Sequence, residues 1–411
     1  MNNVQWTDDS YRYVWNLFRS YGMGLIFAAN IFGAGSIYIL SSVGVSFRFT
    51  LLWVLPLSLG VGLVVHEMSA RLAVLDQPLM GYIRDVIGSP AAKAFAVFIA
   101  FIMHLWSVAN YALTGAALAF LTPLDSVVIA TVLSGAAGIT LIELRVYQRI
   151  EAVIATLVLV VFGSYLVIFL GIDIPVADVA RGLVPAVRTK MGPLTMIIAL
   201  VGTTIYYPNF FIQTSMHQAK EFDTVSQYRR DHTVGLVAAV LMSMAVLIVA
   251  AITVPSGVVS LVDPARPLVE ELGSWALTVF IVGAGAASFS SATGTLFGAG
   301  FMVPQAFGND TAFGDRPFRI VVNGLIVLSL LLAVPILTFT DFSAVQLALV
   351  VPAVNGVIGL PVTVLALYGA MHRYYNPTWI ENVIFIGIVI LMFLVALLTA
   401  TSLAETIRML V

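Results

Sequence analysis

The chain contains no cysteine, which excludes a disulfide framework, a thiolate metal site and a cysteine nucleophile, and leaves the redox compartment open. Charge is nearly as scarce. Asp, Glu, Lys and Arg together make up 10% of the residues, against roughly 25% in an ordinary soluble domain, too little to cover a water-facing surface. The net charge of −2 says nothing about partners, and no nucleic-acid partner is expected. Also missing are a phosphate-binding Gly-rich loop with its lysine, a metalloprotease helix and a nucleophile elbow, so neither an enzyme nor a cofactor is expected. Residues Met1 to Ser20 lack the basic start, apolar core and small-residue cleavage site of a signal peptide. The first apolar span is therefore expected to act as its own insertion signal.

Apolar length is abundant. Hydrophobic residues make up 60% of the chain and the mean hydropathy is +1.02. Runs near the ~20 residues needed to cross a ~30 Å hydrocarbon core recur from Tyr21 onward. Charged punctuation divides them into eleven predicted spans, near 22–44, 50–74, 94–120, 125–142, 151–172, 192–217, 233–256, 273–303, 318–340, 343–370 and 379–402. With the N-terminus cytoplasmic, Lys and Arg divide 13 inside against 6 outside, so the positive-inside rule predicts a multi-pass cell-membrane protein with its C-terminus outside. The expected organisation is a cytoplasmic segment 1–20, a first repeat 21–172, an outer loop 173–191, a second repeat 192–370, and a last span with the C-terminus in 371–411.

Two spans carry features that a lipid-facing helix does not need. The first reads Ala28-Ala29-Asn30-Ile31-Phe32-Gly33-Ala34-Gly35-Ser36, and the sixth reads Gly202-Thr203-Thr204-Ile205-Tyr206-Tyr207-Pro208-Asn209. Glycine costs a helix about 1 kcal/mol relative to alanine, and proline removes a hydrogen bond to the preceding turn. Both spans are predicted to break at mid-membrane, where non-helical backbone is tolerated only if protein or a water-filled cavity satisfies it. Either break alone fits close helix packing or a harmless kink. Two breaks five spans apart fit an inverted-repeat transporter, with its site where corresponding helices unwind. Gly33, Ala34, Gly35, Ser36, Thr203, Tyr206, Tyr207 and Asn209 are the predicted substrate-binding residues.

Ionisable groups inside the membrane are costly and count as functional candidates. His104 lies deep in span three and is the candidate for a proton pathway, against the plainer reading of a neutral histidine bonded to a neighbouring helix. Glu67 and Arg71, four residues apart near the end of span two, read as a structural ion pair. Asn110, Gln213, Ser290, Ser291 and Asn355 are further polar groups that can line a cavity or join helices.

Several segments resemble the NRAMP divalent-metal transporters, members of the group sharing the LeuT-type fold. They include Leu51-Leu52-Trp53, Ser69-Ala70-Arg71-Leu72, Gly115-Ala116-Ala117, Gln148-Arg149-Ile150-Glu151-Ala152, Arg230-Asp231-His232-Thr233 and Ser290-Ser291-Ala292-Thr293-Gly294-Thr295. The resemblance implies an all-α membrane protein of about eleven helices, a 5+5 inverted repeat, broken helices one and six, and alternating access. It fails where the family's chemistry sits. The family's Asp-Pro-Gly-Asn motif aligns with Gly33-Ala34-Gly35-Ser36, and its Met-Pro-His motif with Tyr206-Tyr207-Pro208. The acidic positions of span three fall near Ala109 and Ala112, and the glutamine of span ten near Ala353. Neutral oxygens replace carboxylate, amide and thioether, a poor host for a doubly charged ion. No metal-ligating residue is therefore assigned. Ancestry points to a divalent cation, with H+ or Na+ as coupling ion. The altered residues point to a small neutral or anionic solute such as an amino acid or inorganic anion. A receptor or scaffold that kept the fold is the third reading.

Overall fold

The computed structural model describes residues 34–75, 77–145, 147–185, 191–217, 224–255 and 259–410, and among these the regular structure is entirely helical. Lipid dictates this outcome: with no water to satisfy backbone groups, apolar runs cross a bilayer as helices that bond within themselves.

In chain order the helices are α1 (Ala34–Phe47), α2 (Val54–Ala73), α3 (Leu79–Ile87), α4 (Ser89–Leu121), α5 (Val127–Glu143), α6 (Tyr147–Gly171), α7 (Val176–Gly182) and α8 (Met191–Thr204). They continue with α9 (Pro208–His217), α10 (Val225–Thr253), α11 (Arg266–Leu272), α12 (Trp275–Ala306), α13 (Arg316–Phe339), α14 (Ala344–Val354), α15 (Leu360–Tyr375) and α16 (Trp379–Leu410). Helices α8 and α9 together make span six, and α14 and α15 make span ten. Each predicted span coincides with a helix or a broken pair to within about five residues, except that α10 starts and α16 ends eight residues beyond the predicted bounds of spans seven and eleven, and that the first half of span one lies outside the described residues. Seven of these segments are long and apolar enough to cross a membrane by length and composition alone. The short helices α3, α7 and α11 lie in connections that the apolar pattern leaves as loops.

The centre of the molecule is the pair α4 and α12. Hydroxyl and indole groups stitch them together: Trp106 Nε1 donates to Ser291 Oγ at 2.9 Å, Ser107 Oγ to the Ala292 carbonyl at 2.6 Å, and Tyr111 and Thr293 hydroxyls meet at 3.0 Å. Such bonds hold helices together where lipid tails provide no hydrophobic drive for association.

Helix α13 and α16 present large apolar side chains outward, among them Leu331 and Leu397, as lipid-facing spans should. Beyond α10, the turn at Ser260–Arg266 is tied to the bundle by Tyr38, whose hydroxyl donates to the Leu261 carbonyl at 2.9 Å, and by Tyr165, which donates to the Pro264 carbonyl. Within it Asp263 accepts from the Ser260 N–H at 2.6 Å and pairs with Arg266 at 2.7 Å. Burial pushes the Asp263 carboxyl up, but the Ser260 donors and the Arg266 guanidinium outweigh it and hold the group below its usual range.

Where α2 ends and α10 begins, Glu67 gathers two arginines. Arg71 Nε lies 2.9 Å and Arg229 Nη2 2.7 Å from Glu67 Oε1, and Arg71 also reaches Glu381 of α16. The expected Glu67–Arg71 pair is thus present, within a larger network joining α2, α10 and α16. The Arg71 guanidinium also lies over the rings of Tyr375 and Phe385, at 4.8 and 5.4 Å from their centroids.

Candidate substrate site at the break in span six

Span six is interrupted as its sequence predicts. Helix α8 ends at Thr204, residues Ile205 to Tyr207 leave the helix, and α9 restarts at Pro208. Proline suits the first turn of a helix, where its missing N–H costs nothing, and short bonds from Asn209 N–H to the Tyr206 carbonyl and Phe210 N–H to the Tyr207 carbonyl, both 3.1 Å, close the restart.

The two tyrosines of the break are buried and point to different neighbours. Tyr206 shares a hydrogen bond with Thr295 of α12 and packs against Trp106 of α4, with ring centroids 5.5 Å apart. Tyr207 donates to Asn355 Oδ1 at 2.7 Å. Asn355 opens a short π-helical segment, Asn355–Gly359, which separates α14 from α15. Spans six and ten are therefore both irregular, and they touch where they are irregular.

Glycine makes this contact possible. A Cβ on Gly202 would lie 2.6 Å from the Pro352 carbonyl oxygen, one on Gly356 would lie 2.7 Å from the Ile198 oxygen, and one on Gly359 would lie 2.5 Å from the Tyr207 ring. At Gly202 and Gly356 no side chain fits unless the backbones separate, and at Gly359 none fits unless the Tyr207 ring moves. On the other side, a Cβ on Gly298 of α12 would meet the Pro208 oxygen at 3.1 Å. The break is thus walled by α4, α12 and the π segment.

The remaining predicted residues are placed as follows. Gly33 lies outside the described residues, and Ala34, Gly35 and Ser36 form the first described turn of α1. Ser36 is buried. Thr203 and Thr204 are buried in the last turn of α8, and both hydroxyls donate back to the Leu200 carbonyl at 2.9 and 2.8 Å. Asn209 is buried in the first turn of α9. His104 is brought to a different face: it lies two residues before Trp106, about 200° around the helix at 3.6 residues per turn, with a ring nitrogen against its own helix's Phe101 carbonyl. Its backbone carbonyl accepts from Ser329 of α13 at 3.2 Å.

Beyond α9 lies a polar cluster that reading single spans does not assemble. The His66 ring sits 4.9 Å from that of His232 and 5.0 Å from that of Phe210, while Tyr228 stacks on His232 at 4.4 Å. The Tyr228 hydroxyl donates to Gln213 Oε1 at 2.7 Å. The sequence signal for it was weak, because its members come from α2, α9 and the part of α10 that precedes predicted span seven. Among the described residues no three His, Cys, Asp or Glu side chains converge as a metal site. The donors around the break are neutral oxygens: two phenols, threonine and serine hydroxyls and the carboxamides of Asn209 and Asn355.

A bundle of this helix order, with span six unwound at its centre against an irregular span ten, defines the LeuT-type class of membrane protein. Solved structures agree on the fold. A manganese transporter from Eremococcus coleocola, in complex with an aromatic bis-isothiourea substituted compound, superposes with a TM-score of 0.75 at 20% identity, covering 95% of this chain and 88% of that one. The transporter MhsT in complex with L-phenylalanine gives 0.57 at 15% identity, covering 93% and 98%. The natural resistance-associated macrophage protein-like family model matches residues 24–401, and the chain belongs to that family. Curated relatives include the divalent metal cation transporter MntH of Levilactobacillus brevis, 27% identical over 217 residues, or 51% of this chain and 47% of that protein. The MntH of Yersinia enterocolitica is 26% identical over 277 residues, 64% of this chain and 67% of that one. The chain spans about half the length of the first of these relatives.

Proposed function

We propose that this protein is a secondary transporter that carries a divalent metal cation across the cell membrane by alternating access, through a site of neutral oxygens at the break in span six. The observation that carries the reading is the interruption Ile205–Tyr207, locked by glycine contacts onto the π segment of span ten. Two irregular segments in contact at membrane depth supply backbone groups for a ligand and a joint about which half-helices can swing. Membership of the family, and relatives named for divalent metal transport, support the cargo. Proton or sodium coupling belongs to the same proposal, with His104 a secondary candidate because it faces away from the break.

The donor set shapes the affinity. Carboxylate and thioether are replaced by phenol, hydroxyl and carboxamide oxygens, so the ion should bind weakly and keep much of its water. One observation favours a second reading, transport of a small neutral solute such as an amino acid: Trp106, Tyr206 and Tyr207 wall the break with uncharged aromatic surface. Uptake into sealed proteoliposomes decides between them, with manganese, magnesium and amino acids each tested under proton and sodium gradients. Metal-dependent uptake supports the first reading. Amino-acid uptake without metal uptake replaces it, and no uptake of any solute under any gradient removes the transporter reading. In the same assay Gly35→Val should abolish uptake, because a branched side chain there adds bulk where the proposed site meets the start of α1, whereas His104→Gln should leave most of it.

A further inference from the structure

Two of the chain's five histidines meet where α2 faces α10, and the site at the break makes no use of them. His66 and His232 are 2% and 4% exposed, and their ring centroids lie 4.9 Å apart with the planes tilted by 42°. Buried imidazoles are ordinarily tied down by hydrogen bonds, because an unpaired polar group in an apolar interior is costly. His66 departs from that rule. Neither of its ring nitrogens completes a hydrogen bond, although the Gln213 carboxamide is close by, and Gln213 Nε2 is unpartnered as well.

His232 is held in a form that defines what it can bind. Its Nδ1 lies 3.2 Å from the Tyr228 carbonyl. A carbonyl only accepts, so Nδ1 carries the proton and Nε2 the lone pair. Tyr228 also stacks on the ring at 4.4 Å, and its own hydroxyl is anchored to Gln213 Oε1 at 2.7 Å, which steadies the ring plane. A histidine with one nitrogen donated to a carbonyl has the form that metal ligands take. Neutral His66 likewise carries one lone-pair nitrogen in either tautomer. The pair therefore offers two neutral imidazole donors from two helices.

Spacing decides what fits them. Two imidazoles sharing a proton would be hydrogen-bonded directly to each other, and His66 makes no such bond. A tetrahedral ion ~2.1 Å from each nitrogen instead holds two ring centroids roughly 5 Å apart, which is the separation observed. No third His, Cys, Asp or Glu joins the pair among the described residues, so an ion there keeps water in its remaining positions. Such an ion can leave as well as enter, which a transport path requires. Charge does not select it. Glu67, next to His66 in sequence, is taken up by Arg71 and Arg229, and Arg71 also by Glu381, so two acids and two bases cancel. Selectivity comes from donor type, and imidazole favours the late first-row ions, cobalt to zinc, over manganese, magnesium and calcium.

Helix α9 joins this pair to the break. Phe210, two residues after the restart at Pro208, meets the His66 ring at 5.0 Å, and Gln213 reaches Tyr228 from the same helix. From Tyr207 to Gln213 the chain rises about 9 Å at ~1.5 Å per residue. We propose that His66 and His232 form a second station for the transported ion, one that holds a late first-row dication between two imidazoles beyond the break. Its role as a station rests on the transport reading; the binding itself does not.

The test measures zinc and magnesium binding to the full chain in nanodiscs by calorimetry, and copper(II) coordination by electron paramagnetic resonance. Zinc should bind and magnesium should not compete with it. His66→Leu and His232→Leu should each weaken zinc about tenfold or more, since even a partner behind a metal ligand is worth that much. His372→Gln, at an exposed histidine, should leave zinc binding unchanged. Copper on the native chain should show splitting from two nitrogens that changes on ¹⁵N-histidine labelling, and this spectrum decides alone if a leucine variant fails to fold. Zinc affinity unchanged in both folded leucine variants, copper held by fewer than two imidazole nitrogens, or magnesium competing as well as zinc would overturn the site. Uptake into proteoliposomes separates the site from the transport reading. Zinc bound through both histidines without uptake of any solute defeats the transport reading and leaves the site, whereas full zinc uptake by variants that no longer bind zinc overturns its role as a station.

Discussion

Tyr207 shows how a single hydroxyl can set the shape of the break. Its O–H donates to Asn355 Oδ1 at 2.7 Å, while Asn355 Nδ2 donates to the Val351 carbonyl at 3.2 Å, so one carboxamide ties the unwound part of span six to the turn preceding the π segment. Removing the phenol oxygen leaves a buried acceptor unpaired, which costs about 1–3 kcal/mol. Tyr207→Phe should therefore lower the thermal midpoint without changing the fold. Tyr207→Phe combined with Asn355→Leu should be less damaging than the two single losses added, because both remove the same bond. Thermal unfolding of the four proteins in one detergent measures this, and strict additivity would show that the bond contributes nothing. The facing glycine is as demanding. A Cβ on Gly359 would lie 2.5 Å from the Tyr207 ring, and overpacking of this kind costs about 1–3 kcal/mol. Gly359→Val should lose uptake, with partial recovery when Tyr207→Leu makes room; full uptake by the single variant would show that the two spans separate without consequence.

At the scale of the element, charge outside the bilayer holds connections that hydropathy cannot describe. The Ser260–Arg266 turn is capped by Asp263, whose carboxyl is held below its usual range by Ser260 and Arg266 against the push of burial. A depressed folded-state pKa stabilises above the unfolded value, near ~3.9 for aspartate, and that stabilisation is lost as pH falls through the depressed value. Asp263→Asn should thus melt below the wild type at neutral pH, and the gap should close on acidification; a gap independent of pH would mean that the charge is irrelevant. The helical spans themselves were legible in the sequence because an apolar run of bilayer length has one satisfactory backbone state. Pro208 and Gly202 likewise announced the interruption of span six. The π segment was not legible: Asn355-Gly356-Val357-Ile358-Gly359 reads as ordinary apolar helix, and its irregularity depends on what span six places against it. The His66–His232–Gln213 cluster and the extension of the Glu67–Arg71 pair to Arg229 and Glu381 were hidden for the same reason, since each draws on helices far apart in sequence. Gly33 lies outside the described residues, so the proposed break in span one rests on sequence.

At the scale of the whole molecule, architecture and site chemistry diverge, and the divergence has a measurable consequence. The fold matches that of a manganese transporter over 95% of this chain, and the family assignment runs from residue 24 to 401. Yet the described residues bring no three His, Cys, Asp or Glu groups together, and Tyr206 at the break is bonded to Thr295. An ion leaving water must exchange its shell for protein ligands of comparable strength, and neutral oxygens do this poorly in a low-dielectric interior. Manganese binding, measured by calorimetry on the purified protein, should accordingly be far weaker than in a family member whose break carries carboxylate and thioether; micromolar affinity would refute the neutral-oxygen site. The triple variant Gly33→Asp, Ser36→Asn, Tyr206→Met restores the family's donor types at the three aligned positions. If those positions face one cavity, the variant should gain manganese affinity by at least tenfold, equivalent to about 1.4 kcal/mol. Loss of the Tyr206–Thr295 bond offsets part of the gain in stability terms, so the variant should also melt lower than the wild type until manganese is added and then recover by mass action. A folded triple variant with no gain in affinity would mean that the three positions do not share a cavity, and that this protein's cargo is gripped elsewhere.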